Sequence, residues 1–470
     1  MLTFQDFENE TDKAKFVSSA IAEHIHSEEY EIAKSAEAYD HQKNETVYNY
    51  VRTIFSLLGT PIEDFTASNN KIASNFFHRL NVQRCEYLLG NGVSFSDHTT
   101  EIYNEENEKT TIDETKEMLG KRFDNDLKEL VYNGLIHGVS YGYWVEDSIK
   151  GNRLYTFKLT EFKSLLDEET GALRAGIRFW QIDSTKPMFA VLYEEDGYTK
   201  FRSENGYANF IEIQPKRTYK TVVNISDFDG EVEIGGENYT SIPIIPFYGS
   251  KLKQSTLVGM RNAIDSFDLI RSGFANDLSD CAQIYWLLEN CSGMSDAEIE
   301  RFRDRLKFNH IAVADTDNSK VTPYTQEIPY QARKEYLDHI RAGIYEDFGG
   351  LDVHTIAAGA TNDHIDAAYQ PMDEEADDLE YQVIEFITTL LEMLGVEDTP
   401  IFKRNRISNQ KEQTDMVLSA ADYLDDETIL SKLPFITVDE IYKILSNKDV
   451  EDQETFSEED EEKYKWREPY

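Results

Sequence analysis

The sequence contains few cysteines, no signal peptide and no long apolar run. Its three cysteines, Cys85, Cys281 and Cys291, have neither the number nor the spacing of a disulfide framework or a zinc site, which fits a reducing compartment. No stretch approaches the roughly 18 apolar residues needed to cross a bilayer, and the first residues lack basic and apolar signal regions. These absences predict a protein that is soluble and cytoplasmic at synthesis, with no membrane partner.

Positive charge is also scarce. The chain has 47 Lys and Arg against 89 Asp and Glu, a formal net charge of −42. Such a surface is not expected to attract nucleic-acid phosphates or anionic lipids nonspecifically. The phosphate-binding motif G-x-x-x-x-G-K-[ST] is absent, so ATP hydrolysis is not expected. We predict no cofactor, no metal site and no enzymatic activity.

One motif resembles a catalytic one. The segment GVSYG at residues 138–142 satisfies G-x-S-x-G, whose serine in α/β-hydrolases lies in a turn from strand to helix. Here a helix-like segment precedes the motif and a strand-like segment follows it, which reverses that order. The motif therefore indicates a turn between a helix and a sheet, and serine hydrolysis by Ser140 is the weaker alternative.

The sequence predicts an α+β chain of several modules. Residues 2–131 are mainly helical in pattern, with an acidic, loop-like stretch at residues 99–111. From about residue 140 the period changes to two, and Asp196-Gly197 between two strand-like segments is a strong hairpin signal. Helices followed by strands indicate an antiparallel sheet covered by helices.

A long amphipathic helix is predicted at residues 257–288. Its length, about 45 Å at 1.5 Å per residue, requires a neighbour along the whole helix. The apolar side is spaced by three or four residues and contains Phe267, Ile270, Phe274, Leu278, Cys281, Tyr285 and Leu288. The opposite side is polar and includes Asp265, Asp268, Ser272, Asn276 and Asp280. A second helix is predicted at residues 330–348, so the two helices enclose a small insertion.

Three further patterns follow from the sequence. In the insertion, basic residues alternate by two and are scattered around a helix, which indicates an exposed helix or a contact with another acidic surface; they are Arg301, Arg303, Arg305 and Lys307. After the second helix comes a loop rich in small residues. The helix beyond it contains Pro371, which is expected to kink it.

This order of parts resembles the portal proteins of long-tailed, siphophage-type double-stranded DNA bacteriophages. The similarity lies in NNK at residues 69–71 followed by NFF at 75–77, YLLG at 87–90 and VSF at 93–95. It continues with IPII at residues 242–245, DLIRSGFANDL at 268–278 and IFKRN at 401–405. The polar start of the helix that contains Pro371 departs from the family pattern.

The resemblance implies a mainly helical portal fold with a wing domain of helices and antiparallel sheet. The implied parts are the wing (1–256), stem helix 1 (257–287), clip (288–329), stem helix 2 (330–348), tunnel loop (349–362), kinked tunnel helix (363–395), crown (396–448) and an acidic, disordered tail (449–470).

The resemblance also implies a function. Portals are dodecameric rings at one capsid vertex, through which DNA is packaged and ejected without sequence-specific binding. The implied partners are terminase, a head-completion adaptor, and the major capsid and scaffolding proteins. The implied location is the virion, with the host cytoplasm during assembly. The alternative is an acidic, non-enzymatic cytoplasmic scaffold or adaptor.

Three groups of residues are candidates for that function. The polar side of the first long helix is a candidate channel lining, and the four basic residues of the insertion are candidate clip contacts. The tunnel loop consists of Gly349, Gly350, Leu351, Asp352, Val353, His354, Thr355, Ile356, Ala357, Ala358, Gly359, Ala360, Thr361 and Asn362.

Overall fold

The computed structural model describes most of the chain. The described residues are 2–55, 59–64, 67–97, 99–103, 109–146, 151–225, 232–281, 285–289, 295–309, 320–324, 329–353, 362–406, 410–420, 428–430 and 433. They belong to two compact units, Met1–Gly350 with Ala376–Lys403, and Leu351–Glu375 with Arg404–Tyr470. No helix in the described ranges has the length and apolar character needed to span a membrane. The predicted acidic tail lies outside the described residues.

Helices dominate the described part of the N-terminal region. They are α1 (Phe4–Asn9), α2 (Lys13–His24), α3 (Glu28–Asp40), α4 (Glu45–Asn49), α5 (Phe76–Leu89), α6 (Glu114–Leu119) and α7 (Phe123–His137). Several of them begin at a residue whose side chain caps the helix. Asp12 accepts a hydrogen bond from the Lys15 N–H at α2, and Ser27 accepts one from the Tyr30 N–H at α3. Such caps satisfy N–H groups that the first helical turn leaves without a partner.

Short strands lie between these helices. They are β1 (Thr53–Phe55), β2 (Pro61–Glu63), β3 (Val93–Phe95), β4 (Thr99–Tyr103) and β5 (Lys109–Asp113). β4 pairs with β5, which corrects the prediction of a loop at residues 99–111. Threonine and isoleucine on both sides of the acidic centre favour strands, and the acidic centre concealed that signal.

Antiparallel sheets follow the helices. Their strands are β6 (Val139–Val145), β7 (Arg153–Lys158), β8 (Phe162–Leu166), β9 (Leu173–Trp180), β10 (Met188–Glu194), β11 (Gly197–Ser203), β12 (Ile211–Arg217), β13 (Lys220–Ile225), β14 (Val232–Glu237) and β15 (Ile244–Tyr248). The order is β12-β11-β10-β9-β8 in one sheet and β15-β6-β7 in another, with β13-β14 as a separate pair. The tight turn at Asp196-Gly197 joins β10 to β11, as predicted. The α+β class is confirmed.

The remaining described chain is again mainly helical. Its elements are α8 (Leu257–Cys281), β16 (Tyr285–Glu289), α9 (Asp296–Asn309), β17 (Lys320–Tyr324), α10 (Tyr330–Phe348), α11 (Asn362–Leu394), β18 (Pro400–Phe402) and α12 (Gln410–Ser419). α10 has the predicted bounds, and α11 continues through Pro371. β18 pairs with β3 from the N-terminal region.

The structure corrects the end of the helix predicted at residues 257–288. α8 ends at Cys281, and Tyr285 and Leu288 belong to strand β16 instead. In the pairing of β16 with β17, Tyr285 lies opposite Tyr324 and Leu288 opposite Val321. The helical spacing continued through these residues, but pairing with a distant strand determines their structure. The helix is therefore shorter than the sequence pattern indicated.

Separate buried clusters hold the first unit together. Phe16 and Ile21 of α2 pack on Ile177 and Phe201 of the five-stranded sheet. A second cluster joins α7, the three-stranded sheet and the later part of α11, including Leu130, Trp144 and Phe386. A third surrounds the start of α8 and the end of α10. This third cluster positions the candidate site.

Candidate functional site: the long helix, its polar stripe and the following loop

α8 and α10 pack against each other as an antiparallel pair. Near the start of α8, Leu257 and Ile264 share a buried cluster with Phe348 at the end of α10. Near the end of α8, Asp277 forms an ion pair with Arg333 in the first turns of α10. The long helix therefore has the antiparallel neighbour that its length requires.

The buried line along α8 changes from apolar to polar along the helix. After Ile264, the buried positions are Asp268, Ser272 and Asn276, with side chains 0%, 5% and 5% exposed. They face residues 69–75, a segment without regular secondary structure that precedes α5. Buried polar side chains need hydrogen-bond partners, and this segment supplies them.

Alternate backbone N–H groups of the segment bind the helix. The pairs are Asn70 N–H to Asn276 Oδ1 at 2.5 Å, Ile72 N–H to Ser272 Oγ at 3.0 Å and Ser74 N–H to Asp268 Oδ1 at 2.9 Å. Every second residue of the segment is thus matched to every fourth residue of the helix. We call this set of three hydrogen bonds the polar ladder.

Two aspartates of α8 also bind the chain that leads into this region. Asn44 Nδ2 donates to Asp268 Oδ2 at 2.9 Å, and Thr46 Oγ1 donates to Asp265 Oδ2 at 2.8 Å. Burial raises the pKa of Asp268, although its hydrogen bonds with Asn44 and Ser74 favour the ionised form and partly offset this. Burial, with a hydrogen bond to Asp265, raises the pKa of Tyr39 to about 12.

This geometry corrects the prediction that the polar side of the helix is an open face. Asp268, Ser272 and Asn276 are buried within the chain, and their polar atoms accept hydrogen bonds from its own backbone. Asp265 is half-buried and bonded as well. The side chain of Asp280 lies outside the described residues. The sequence signal that was missed is the strict spacing of four from residue 260 to residue 276.

The predicted tunnel loop starts where α10 ends. Gly349 adopts a left-handed conformation (φ 67°), and its N–H and that of Gly350 close the helix by donating to the Glu346 and Tyr345 carbonyls. Arg84 of α5 donates to the Phe348 carbonyl, and its guanidinium lies 4.1 Å from the Phe348 ring centroid. The predicted loop therefore follows a helix end that these contacts hold in place. Residues 354–361 lie outside the described part.

Two other groups of candidates have separate positions. The basic residues lie on α9, where Arg301 is exposed; the side chains of Arg303, Arg305 and Lys307 lie outside the described residues. Ser140 is fully buried and donates to the Leu130 carbonyl at 2.7 Å, as a serine on a packed strand does. In the described chain, no group of His, Cys, Asp and Glu is placed to hold a metal ion.

Comparison of the sequence with known proteins identifies its family. The chain is 26% identical over 425 residues to the portal protein of Clostridium phage phiCD119, covering 83% of this chain and 89% of that protein. It is 24% identical over 428 residues to the portal protein of Bacillus phage SPP1, covering 82% of this chain and 77% of that protein. The sequence model of the family "Phage portal protein, SPP1 Gp6-like" matches residues 20–463. The chain belongs to this family of phage portal proteins.

Proposed function

We propose that this chain is the repeating subunit of a portal ring, the channel at one capsid vertex through which a phage genome is packaged and ejected. Family membership makes the chain a structural component of the virion and not an enzyme. The observation that carries the proposal is the antiparallel pair α8–α10, which encloses an insertion and leads into a glycine-initiated loop, in a chain of this family.

The charge of the chain suits passage of DNA without binding. A net charge of −42 per subunit repels phosphates, and repulsion is effective within a Debye length of roughly 8–10 Å. Repulsion across a narrow channel favours sliding of DNA over adhesion. Passage of DNA therefore needs no sequence-specific contact from this chain.

The structure changes which side of α8 is the candidate for the channel. Gly259, Asn262 and Ser266 are exposed, uncharged and spaced by three or four on one side of α8; Val258, Arg271 and Leu278 are exposed elsewhere on the helix. In the proposal, this side faces the channel and Asp268 does not. Residues 349–362 remain the candidate tunnel loop, and α9 with the β16–β17 pair forms the candidate clip.

The partners of the ring follow from the same proposal. A clip at the tip of the two-helix stem is the part that would contact terminase during packaging and a head-completion adaptor afterwards. The basic residues of α9, of which Arg301 is exposed, are candidates for contacts with acidic partner surfaces. Capsid and scaffolding proteins would surround the wing during assembly in the host cytoplasm.

Mass photometry and negative-stain microscopy of the purified full chain test the proposal. We expect a closed ring with a central hole and a mass close to twelve subunits. A single measurement of mass also distinguishes rings that close with one subunit more or fewer. The competing function, an acidic scaffold or adaptor, is expected to give a monomer or small oligomer without a hole. A stable monomer at high protein concentration would contradict the portal proposal.

A further inference from the structure

The segment held by the polar ladder follows an exposed, apolar arm in the chain. We define the arm as residues 48–64, of which 48–55 and 59–64 are described. It contains the antiparallel pair β1–β2, with Ile54 opposite Ile62 and Phe55 opposite Pro61. Both strands are exposed on both faces, and the Phe55 side chain is 75% exposed. The arm thus presents its large apolar side chains to its surroundings.

Both ends of the arm are fixed to α8. On the N-terminal side, Asn44 and Thr46 bind Asp268 and Asp265. On the C-terminal side, the polar ladder holds residues 70–74. The Arg52 Nη1 donates to the Ser68 carbonyl at 3.0 Å and draws the two sides together. A part with fixed ends loses less conformational freedom when it binds, which strengthens association.

An arm of this kind is poorly suited to remain in water. An isolated two-stranded hairpin is at best marginally stable, because its apolar side chains lack a surface to pack on. Contiguous exposed apolar side chains commonly mark a surface for a protein partner. Among the described residues of the arm, the exposed large apolar side chains are Tyr48, Tyr50, Val51, Ile54, Phe55 and Ile62.

The charge distribution indicates which partner fits. The arm has three charged residues among its 17, Arg52 near its start and Glu63 and Asp64 at its end, whereas 29% of the whole chain is charged. Copies of a chain with net charge −42 repel one another, which favours contacts between copies through surfaces of low charge. The stretch of the arm that carries the exposed apolar side chains, residues 48–62, has Arg52 as its one charged residue, so it suits such a contact and offers little to DNA phosphates.

We propose that the arm binds the neighbouring copy of this chain in the ring. This proposal rests on the proposed function, since a closed ring places an identical copy on each side of every subunit. In such a ring the contact is head-to-tail: the arm of one copy occupies a different surface of the next. The hydrogen bonds of α8 thereby contribute to assembly, because they hold the arm in the position from which it reaches the next copy.

The double variant Ile54→Asp/Phe55→Asp of the full chain tests the proposal. The matched control is Ile182→Asp, because Ile182 is also apolar and is 80% exposed, on the turn after β9. We expect the double variant to associate about tenfold or more weakly than the parent chain, measured as the fraction of rings in mass photometry over a dilution series. Ile182→Asp is expected to form rings like the parent. Circular dichroism checks that each variant is folded.

Photo-crosslinking provides a second measurement that does not depend on weakening the ring. Phe55→p-benzoylphenylalanine is expected to give crosslinked dimers on irradiation of the rings, and the same substitution at Ile182 is not. Normal rings from the double variant together with no crosslink from position 55 would overturn the proposal for the arm and leave the portal function intact. Failure of the parent chain to form rings would instead contradict the portal function.

Discussion

Asp268→Ala is expected to destabilise the first unit by roughly 2–4 kcal/mol. The substitution leaves the Asn44 amide and the Ser74 N–H buried without their acceptor, and removal of a buried carboxylate offsets part of that loss. The amides of residues 70–74 should then exchange with solvent much faster. Urea unfolding followed by circular dichroism and hydrogen exchange followed by mass spectrometry measure the two effects.

The control for this prediction is Asp338→Ala on the partner helix α10. Asp338 is exposed, and removal of an exposed carboxylate is expected to change the free energy of unfolding by less than about 0.5 kcal/mol. Unchanged exchange at residues 70–74 in Asp268→Ala would show that the polar ladder does not hold this segment.

The pH dependence of Asp268 follows from the direction of its pKa. Its folded-state pKa is raised above the ordinary value of 3.8, so the folded state holds the proton more tightly than the unfolded state does. The associated stabilisation is fully present below that ordinary value and is lost as pH rises through the folded-state pKa. Relative to Asp268→Asn, which does not titrate, the parent chain should therefore be more stable at acid pH than at neutral pH. A stability difference between the two that is independent of pH would contradict this.

Phe386→Ala is expected to cost roughly 3–5 kcal/mol of stability. Phe386 lies on α11, is 2% exposed and meets the Phe247 ring edge-on, with centroids 6.2 Å apart. Gly142 of β6 lies directly beneath it: a Cβ there would be 2.6 Å from the Phe386 ring. The ring therefore fills a space that only a glycine leaves open. Urea unfolding of the variant measures the loss.

Two further experiments test whether Phe386 packs directly on Gly142. Tyr381→Ala removes an aromatic ring that is 67% exposed on the same helix and should change stability by about 0.5 kcal/mol or less. Gly142→Ala alone should be destabilising, whereas in the background of Phe386→Leu its cost should fall, since the two residues are in contact. Additive effects of the two substitutions would contradict direct packing.

The features predicted correctly from the sequence depend on local signals. The turn at Asp196-Gly197 sets its hairpin through its own backbone preference, and the start and end of α10 coincide with Pro329 and Gly349. The helix-to-sheet turn at Gly138 follows from the change of period from 3.6 to two. In each case the determining residues lie within one or two turns of the feature.

The features predicted wrongly depend on partners far away in the sequence. Tyr285 and Leu288 fit a helix and a strand equally well until β17 is present. Asp268 and Asn276 have the composition of a solvent-exposed face, but the Ser74 and Asn70 N–H groups that they bind lie about 200 residues earlier. Polarity alone does not distinguish a solvated helix face from one whose side chains accept hydrogen bonds from the backbone N–H groups of another segment.

The spacing of four in the polar ladder also determines the direction in which residues 70–74 cross α8. On an α-helix, side chains at every fourth position form a row inclined by about 26° to the helix axis. Residues 70–74 follow such a row and so cross α8 obliquely. A chain on this course leaves from the flank of the helix and not from its end. Any rotation of α8 about its own axis would therefore displace the arm across the helix axis and not along it.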